Sequence, residues 1–276
     1  MLSWIWRRRG LHQLSVVFLV VALTAGCGGG KEDPILQLSA EESLEIGKEL
    51  MEKKKYPLAR DYLSHTFEVA PNSASGREAL LLVADAHYLH GGKENFVRAE
   101  AKYRDFLNRF PTSDRAGYVQ LQLANSLSKR MLKPDRDQTA TRQALEAYND
   151  LLLIYPGTQY AEEGRLEMAA LSETLADHEM MIGRYNFRRH LYSAAGARLA
   201  GLLEEYPEYS KTDRALYYLI VASYYANKPD EGKAAMERLQ TEYPDSRYLK
   251  DVTKRSEKAQ RKVERMKKKF EKRAAR

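Results

Sequence analysis

Six histidines, one cysteine and a few glycine-rich or serine-bearing stretches are the places where this chain could carry acid–base, nucleophilic or metal chemistry. His12, His65, His87, His90, His178 and His190 are scattered, and only His87 and His90 share a local spacing. Three residues apart, they would lie on one helical face, but no carboxylate stands at a natural third-ligand spacing in that segment. His178-Glu179-Met180-Met181-Ile182 lacks the second histidine of a zinc-protease helix. No G-x-S-x-G is present, and Gly28-Gly29-Gly30-Lys31 is followed by Glu32 where a phosphate loop needs Ser or Thr. A single cysteine excludes a disulfide framework and any Cys-rich zinc site. No enzyme, cofactor or metal is expected.

The elements that position whatever function remains are helical. Val and Ile together number 17 of 276 residues, five of them within the first 21, which is too few for a large sheet. The net charge of +7 is uneven. Residues 247–276 hold 14 Lys/Arg and 4 Asp/Glu, Arg7-Arg8-Arg9 sit at the other end, and residues 27–246 are net −6. The basic character belongs to two ends, so a nucleic-acid-binding body is disfavoured.

The amino terminus has the layout of an export signal. Met1 to Gln13 carries the three arginines and no acid, and Leu14 to Leu23 is apolar but shorter than a membrane span. Thr24-Ala25-Gly26-Cys27 places small residues before the only cysteine and resembles a bacterial lipobox, although the third position before the cysteine is Thr24 rather than the usual Leu. That resemblance implies cleavage after residue 26 and lipidation of Cys27. Several acyl chains make an anchor that is effectively permanent. Gly28, where an inner-membrane retention signal would have Asp, points by the same resemblance to the outer membrane. Residues 27–38 read as a glycine-rich tether of at most about 40 Å.

Residues 39–246 repeat. Pro71, Pro111, Pro156, Pro207 and Pro244 are spaced 40, 45, 51 and 37 apart. Twelve residues before each stand Ala59, Ala99, Ala144, Ala195 and Gly232; eight before stand Leu63, Tyr103, Tyr148, Leu199 and Met236; four before stand Phe67, Leu107, Leu152, Leu203 and Gln240. Steps of four place these on one helical face, with the small residue where a neighbouring helix crosses closely. The proline ends each helix. Ser39 with Glu42, and Ser75 with Glu78, fit the capping box that starts the next one. The pattern resembles the tetratricopeptide repeat, so the expected fold is all-α, a superhelical array of five hairpins: 40–56 with 57–70, 75–90 with 94–110, 113–132 with 138–155, 158–187 with 189–206, and 211–227 with 229–243. Because every spacing exceeds 34, insertions are expected at 91–95 and 133–137, together with an overlong first helix in unit four. Tyr218, Ala222 and Tyr225 form a stripe on the first helix of unit five, suited either to packing or to a wet groove.

From Leu249 the positions Leu249, Val252, Ser256, Ala259, Val263, Met266 and Phe270 make a heptad seam in a basic helix spanning 247–276. It could pack on the array or on another protein's helix, stay solvated, or meet anionic lipid.

Signal, lipobox, tether and five hairpins together resemble the BamD family of outer-membrane β-barrel assembly lipoproteins. The stretches that carry this are Asp135-Arg136-Asp137, Ala144, Tyr148, Tyr155-Pro156, Tyr160-Ala161, His178-Glu179, Tyr185, Arg189, Tyr192, Ala194-Ala195 and Arg198. Asn186 stands where the family often has a second tyrosine, and the basic tail does not align. The resemblance implies a non-catalytic, lipid-anchored scaffold on the periplasmic face of the outer membrane. Units one and two would receive the C-terminal β-signal of unfolded outer-membrane proteins, through candidate groove residues Tyr56, Tyr88 and Phe96. Units three to five would hold the periplasmic domains of a BamA-like barrel, through Arg189, Tyr192 and Arg198, with other assembly lipoproteins as further partners and no nucleic acid expected. The alternative is a repeat lipoprotein of another envelope complex serving cell-wall growth, pilus assembly or DNA uptake.

Overall fold

The computed structural model describes residues 34–275. The signal, Cys27 and the start of the tether lie outside the described residues. Pro34–Gln37 forms a 3-10 turn against the second helix, and the Leu38 carbonyl lies 3.1 Å from His65 Nε2, so the chain is already fixed to the array before Ser39.

Eleven α-helices follow among the described residues, and no strands. Unit one is α1 (Ala40–Glu52) and α2 (Tyr56–Val69); unit two is α3 (Ala74–His90) and α4 (Lys93–Arg109). Unit three is α5 (Ala116–Ser128) and α6 (Thr139–Ile154); unit four is α7 (Gln159–Arg188) and α8 (Tyr192–Glu205). Unit five is α9 (Thr212–Tyr225) and α10 (Pro229–Glu242), and α11 (Leu249–Ala274) follows. Each helix of the five units packs on the next one in the chain, and first helices touch first helices of neighbouring units (α1 with α3, α5 with α7, α7 with α9). This is the stacked tetratricopeptide-type arrangement, in which each unit buries its apolar face only against its neighbours.

Ser39 caps α1 with the full reciprocal box: its Oγ accepts from Glu42 N, and the Glu42 carboxylate accepts from Ser39 N at 3.0 Å. The box expected at Ser75 is displaced. Ser73 is the cap of α3, its Oγ accepting from Gly76 N at 2.9 Å, while Glu78 pairs with Lys48 of α1. The expected insertion at 91–95 is also corrected. Gly91 and Gly92, at φ +75 and +86, are a two-residue link, and Lys93 already opens α4. The extra length of unit two resides in helices of 17 residues each. In unit four it resides in α7, which runs 30 residues. The 133–137 segment is a loop, tied to α7 by His178 Nδ1, 2.6 Å from the Pro134 carbonyl, and internally by Gln138, which donates to the carbonyls of Lys133 and Arg136.

The column twelve before each proline is interior, with Ala59, Ala99, Ala144 and Ala195 fully buried. So is the column eight before, through Leu63, Tyr103, Tyr148 and Leu199. The column four before is interior only in unit four, where Leu203 is buried: Phe67, Leu107 and Leu152 are half-buried and Gln240 is exposed. Its place is taken five before the proline, by Thr66, Phe106, Leu151, Leu202 and Leu239, all at most 2% exposed. The reason is helical phase. At about 100° per residue, two steps of four overshoot two turns by about 80°, whereas a four and a three return to within about 20°.

The leucines and the tyrosines of the middle column are packed differently. In units one and four it is Leu, and a glycine sixteen residues earlier lies against it. A Cβ on Gly47 would stand 2.6 Å from Leu63 Cδ2, and one on Gly183 2.8 Å from Leu199 Cδ2. In units two and three it is Tyr, and the first helix supplies an acceptor for the buried phenol. Tyr103 donates to Asp85 Oδ1 at 2.7 Å, and Tyr148 donates to Asn125 Oδ1. Tyr118 of α5 donates to the same Asp85 oxygen at 3.1 Å, so this carboxylate joins units two and three.

Candidate functional site

Two clusters gather the residues singled out in sequence. In the first, Tyr56 opens α2 and its ring lies 6.2 Å from that of His90 at the end of α3. Tyr88 of α3 and Phe96 of α4 pair at 5.8 Å. The three candidate groove residues are half-buried, and α3 carries a member of both pairs. Between the pairs sits a polar knot: Arg60 Nη1 is 3.3 Å from Nδ1 of both His87 and His90, and Asn95 lies 3.2 Å from each. His87 is held down at about 4, chiefly by burial, with the charges of Arg60, Arg98 and Lys102 acting in the same direction. A neutral imidazole facing a guanidinium is a packing arrangement, and arginine is not a metal ligand. The Tyr88 phenol is pushed up by burial and by Glu167 and Glu163 of α7, so acids of unit four lie within electrostatic reach of the aromatic pairs of unit two.

The second cluster lies where α7, α8 and α9 meet. Tyr192 stacks on Tyr225 with centroids 4.3 Å apart and planes 15° apart, meets Phe187 edge-on at 5.5 Å, and its hydroxyl is 2.8 Å from His190 Nδ1. Phe187 continues to Tyr218 at 5.2 Å, and the Arg184 guanidinium sits 5.7 Å from the Tyr218 centroid. The stripe on α9 therefore spends much of its ring area on neighbours, with Ala222 fully buried between its two half-buried tyrosines. Arg198 of α8 donates to Glu179 Oε2 at 2.7 Å, and Arg142 of α6 stands 3.7 Å from the other carboxylate oxygen. Glu179 is 8% exposed and joins three helices through these two half-exposed guanidiniums. Arg189 is exposed just past α7, with no side-chain partner among the described residues.

Spacing alone did not point to Arg60, Arg142 or Phe187 as members of these clusters, nor to Asp85 as the link between units two and three. The only available signal for Asp85 was an acid eighteen residues before a tyrosine destined for burial. What the two clusters offer chemically is contact area, hydroxyls and guanidiniums. Among the described residues no group of three or more His, Cys, Asp or Glu side chains could hold a metal ion, and no helix is long and apolar enough to cross a membrane.

The BamD outer membrane protein assembly factor of Caulobacter vibrioides is 29% identical over 238 residues, covering 85% of this chain and 77% of its own length. That of Neisseria gonorrhoeae is 27% identical over 255 residues, covering 86% and 92%. Among solved structures, the TPR2AB domain of yeast Sti1 aligns over 81% of this chain and 84% of its own at 14% identity and a TM-score of 0.44. A family model for outer membrane lipoproteins, YfiO, matches residues 37–239, all of α1 to α9 and most of α10. The chain belongs to the YfiO family of outer membrane lipoproteins.

Proposed function

We propose that this chain is a non-catalytic scaffold of the outer-membrane β-barrel assembly machinery, anchored by lipid on Cys27 to the periplasmic face of the outer membrane. Units one and two take the C-terminal β-signal of unfolded outer-membrane proteins, with Tyr56, Tyr88 and Phe96 supplying apolar contact. An extended signal of this kind is aromatic or apolar at alternate positions, and a groove edged by half-buried rings can hold it without chemistry. Units three to five hold the periplasmic part of a BamA-like barrel, with Arg189, Tyr192 and Arg198 at the contact and other assembly lipoproteins nearby.

The observation that carries this reading is the family match across 37–239, reinforced by relatives named as assembly factors that align over most of their own length. The half-exposed guanidiniums of Arg198 and Arg142, and Arg189, unpaired among the described residues, support an acidic partner at the second cluster. Crosslinking in native membranes followed by affinity purification tests it. Recovery of a BamA-like barrel is expected. A partner set made only of cell-wall or pilus proteins would replace the proposal with the other envelope roles.

A further inference from the structure

The seam of α11 is covered for only half its length. Val252, Ser256, Ala259 and Val263 are buried, and the helix lies along α9, with Tyr217 of α9 donating to Asp251 Oδ2 at 2.7 Å and Lys262 Nζ 5.7 Å from the Tyr225 ring. Past Val263 every described residue is exposed. The seam nevertheless continues through Met266 at 46% exposed and Phe270 at 73%. The helix does not fray out where the array ends: it runs on to Ala274, about 17 Å beyond Val263 at ~1.5 Å per residue.

The overhang has a definite chemistry. Residues 264–275 hold six Lys/Arg and two Glu. Ion pairs along α11 stop at Arg261 with Glu257, and none of Arg265, Lys267, Lys268, Lys269, Lys272 and Arg273 has a partner among the described residues. Viewed down the helix at about 100° per residue, Lys267 and Arg273 fall about 60° either side of Phe270, with Met266 between. Long cationic side chains thus flank a narrow apolar stripe on both edges, the layout of a helix lying in a membrane interface, where the stems reach along apolar surface and the charges rise to the headgroups.

We infer that this overhang docks on an anionic phospholipid surface. The apolar stripe offers two large side chains, far short of the roughly 800 Å² per partner of a stable protein interface. A layer of phosphodiesters, in contrast, can neutralise every unpaired base at once, each adding about a five-fold gain in membrane partitioning. Membership of a lipoprotein family places such a surface within reach, and the inference holds whichever envelope complex the array serves. Docking would hold the far end of the array to the bilayer, opposite in sequence to the amino-terminal anchor site.

The test uses one tryptophan as a depth probe. Trp4 and Trp6 are the chain's only tryptophans, so a full chain with both replaced by Phe and carrying Phe270→Trp reports position 270 alone. The protein is reconstituted into vesicles of phosphatidylcholine, or of phosphatidylethanolamine with phosphatidylglycerol at about four to one. A blue-shifted emission is expected only in the anionic vesicles. It should fall at least about tenfold in amplitude on adding Lys267→Gln, Lys268→Gln, Lys269→Gln and Lys272→Gln, and likewise at high salt, where the Debye length shrinks to about 4 Å. Because all four lysines are exposed, these changes leave the array intact. Equal emission in neutral and anionic vesicles would overturn the inference. So would a shift that grows with protein concentration without lipid, which would assign the overhang to the acidic body of a second copy.

Discussion

Asp85 holds units two and three together at a cost that can be measured. Its carboxylate accepts from Tyr103 and Tyr118, one phenol on the second helix of its own unit and one on the first helix of the next. Burial is the largest influence on it and raises its pKa above the ordinary 3.8, and the two phenols pull in the opposite direction without cancelling it. The folded chain therefore holds this proton more tightly than the unfolded chain. Stability falls as pH rises from the ordinary carboxylate value through the raised one, and is flat above. Two substitutions separate charge from hydrogen bonding. Asp85→Asn keeps Oδ1 as acceptor for both phenols and removes the half-buried charge, so at pH 7 it should be neutral or stabilising. Asp85→Ala leaves the Tyr103 hydroxyl, on a fully buried side chain, with no acceptor. An unsatisfied buried donor costs about 1–3 kcal/mol, and with a smaller loss at the less buried Tyr118 the total is about 2–4 kcal/mol. For a chain of this size that is roughly 5–12 °C in melting temperature. In a stacked array the loss should concentrate locally, in amide exchange of α3 to α5. Urea melts followed by circular dichroism between pH 3.5 and 7 would decide the matter. If the Asn variant is as damaged as the Ala variant at pH 7, or if its difference from the parent does not grow with pH, the reasoning fails.

Other consequences are as direct. Gly183→Ala should cost about 1–3 kcal/mol by pushing on the fully buried Leu199, and much less in a Leu199→Ala background, a non-additivity read from a double-mutant cycle. Ser39→Ala removes the acceptor of the α1 box and should cost about 1 kcal/mol, seen first as faster amide exchange in the opening turn of α1. His87, depressed to about 4, binds fewer protons folded than unfolded, so it makes stability fall as pH drops from about 6.5 to about 4. His87→Gln should flatten that slope in acid denaturation, the opposite sign to Asp85.

Helix number, order and pairing could be read from the prolines and the alanine column, because each repeat punctuates itself with a residue that cannot continue a helix and another that cannot separate it from its neighbour. Within the second helices the third fully buried position lies five rather than four residues before the proline, since steps of four drift off a 3.6-residue period over two turns. Ser73 rather than Ser75 caps α3 because the chain leaves α2 through a tight turn: a Cβ on Gly76 would fall 2.0 Å from the Ala70 carbonyl oxygen, so only glycine fits at the third helical position of α3. What could not be read was the polar wiring. Tyr103 and Leu199 occupy the same repeat position, and nothing at that position says that one needs an acceptor from α3 and the other a glycine from α7. Those partners lie sixteen to twenty-three residues away, on a different helix, where pattern in one helix carries no information about the other.

The same distinction bears on which side chains in the second cluster are available to a partner. Tyr192 has a stacked tyrosine on one face and an edge-on phenylalanine beside it, so removing it would disturb α7, α8 and α9 as well as any contact. Arg198 is different. It remains half-exposed while bound to Glu179, and Glu179 has a second guanidinium in reserve at 3.7 Å on Arg142. An incoming carboxylate could draw Arg198 outward while Arg142 closes on Glu179, so the buried acid would not be left alone, the situation that makes breaking such pairs expensive. A paired arginine with a substitute waiting can change partners at low cost, whereas a stacked tyrosine cannot. Arg198 can therefore exchange its carboxylate at low cost, and Arg189 has no side-chain partner among the described residues, whereas the Tyr192 ring is committed to Phe187 and Tyr225.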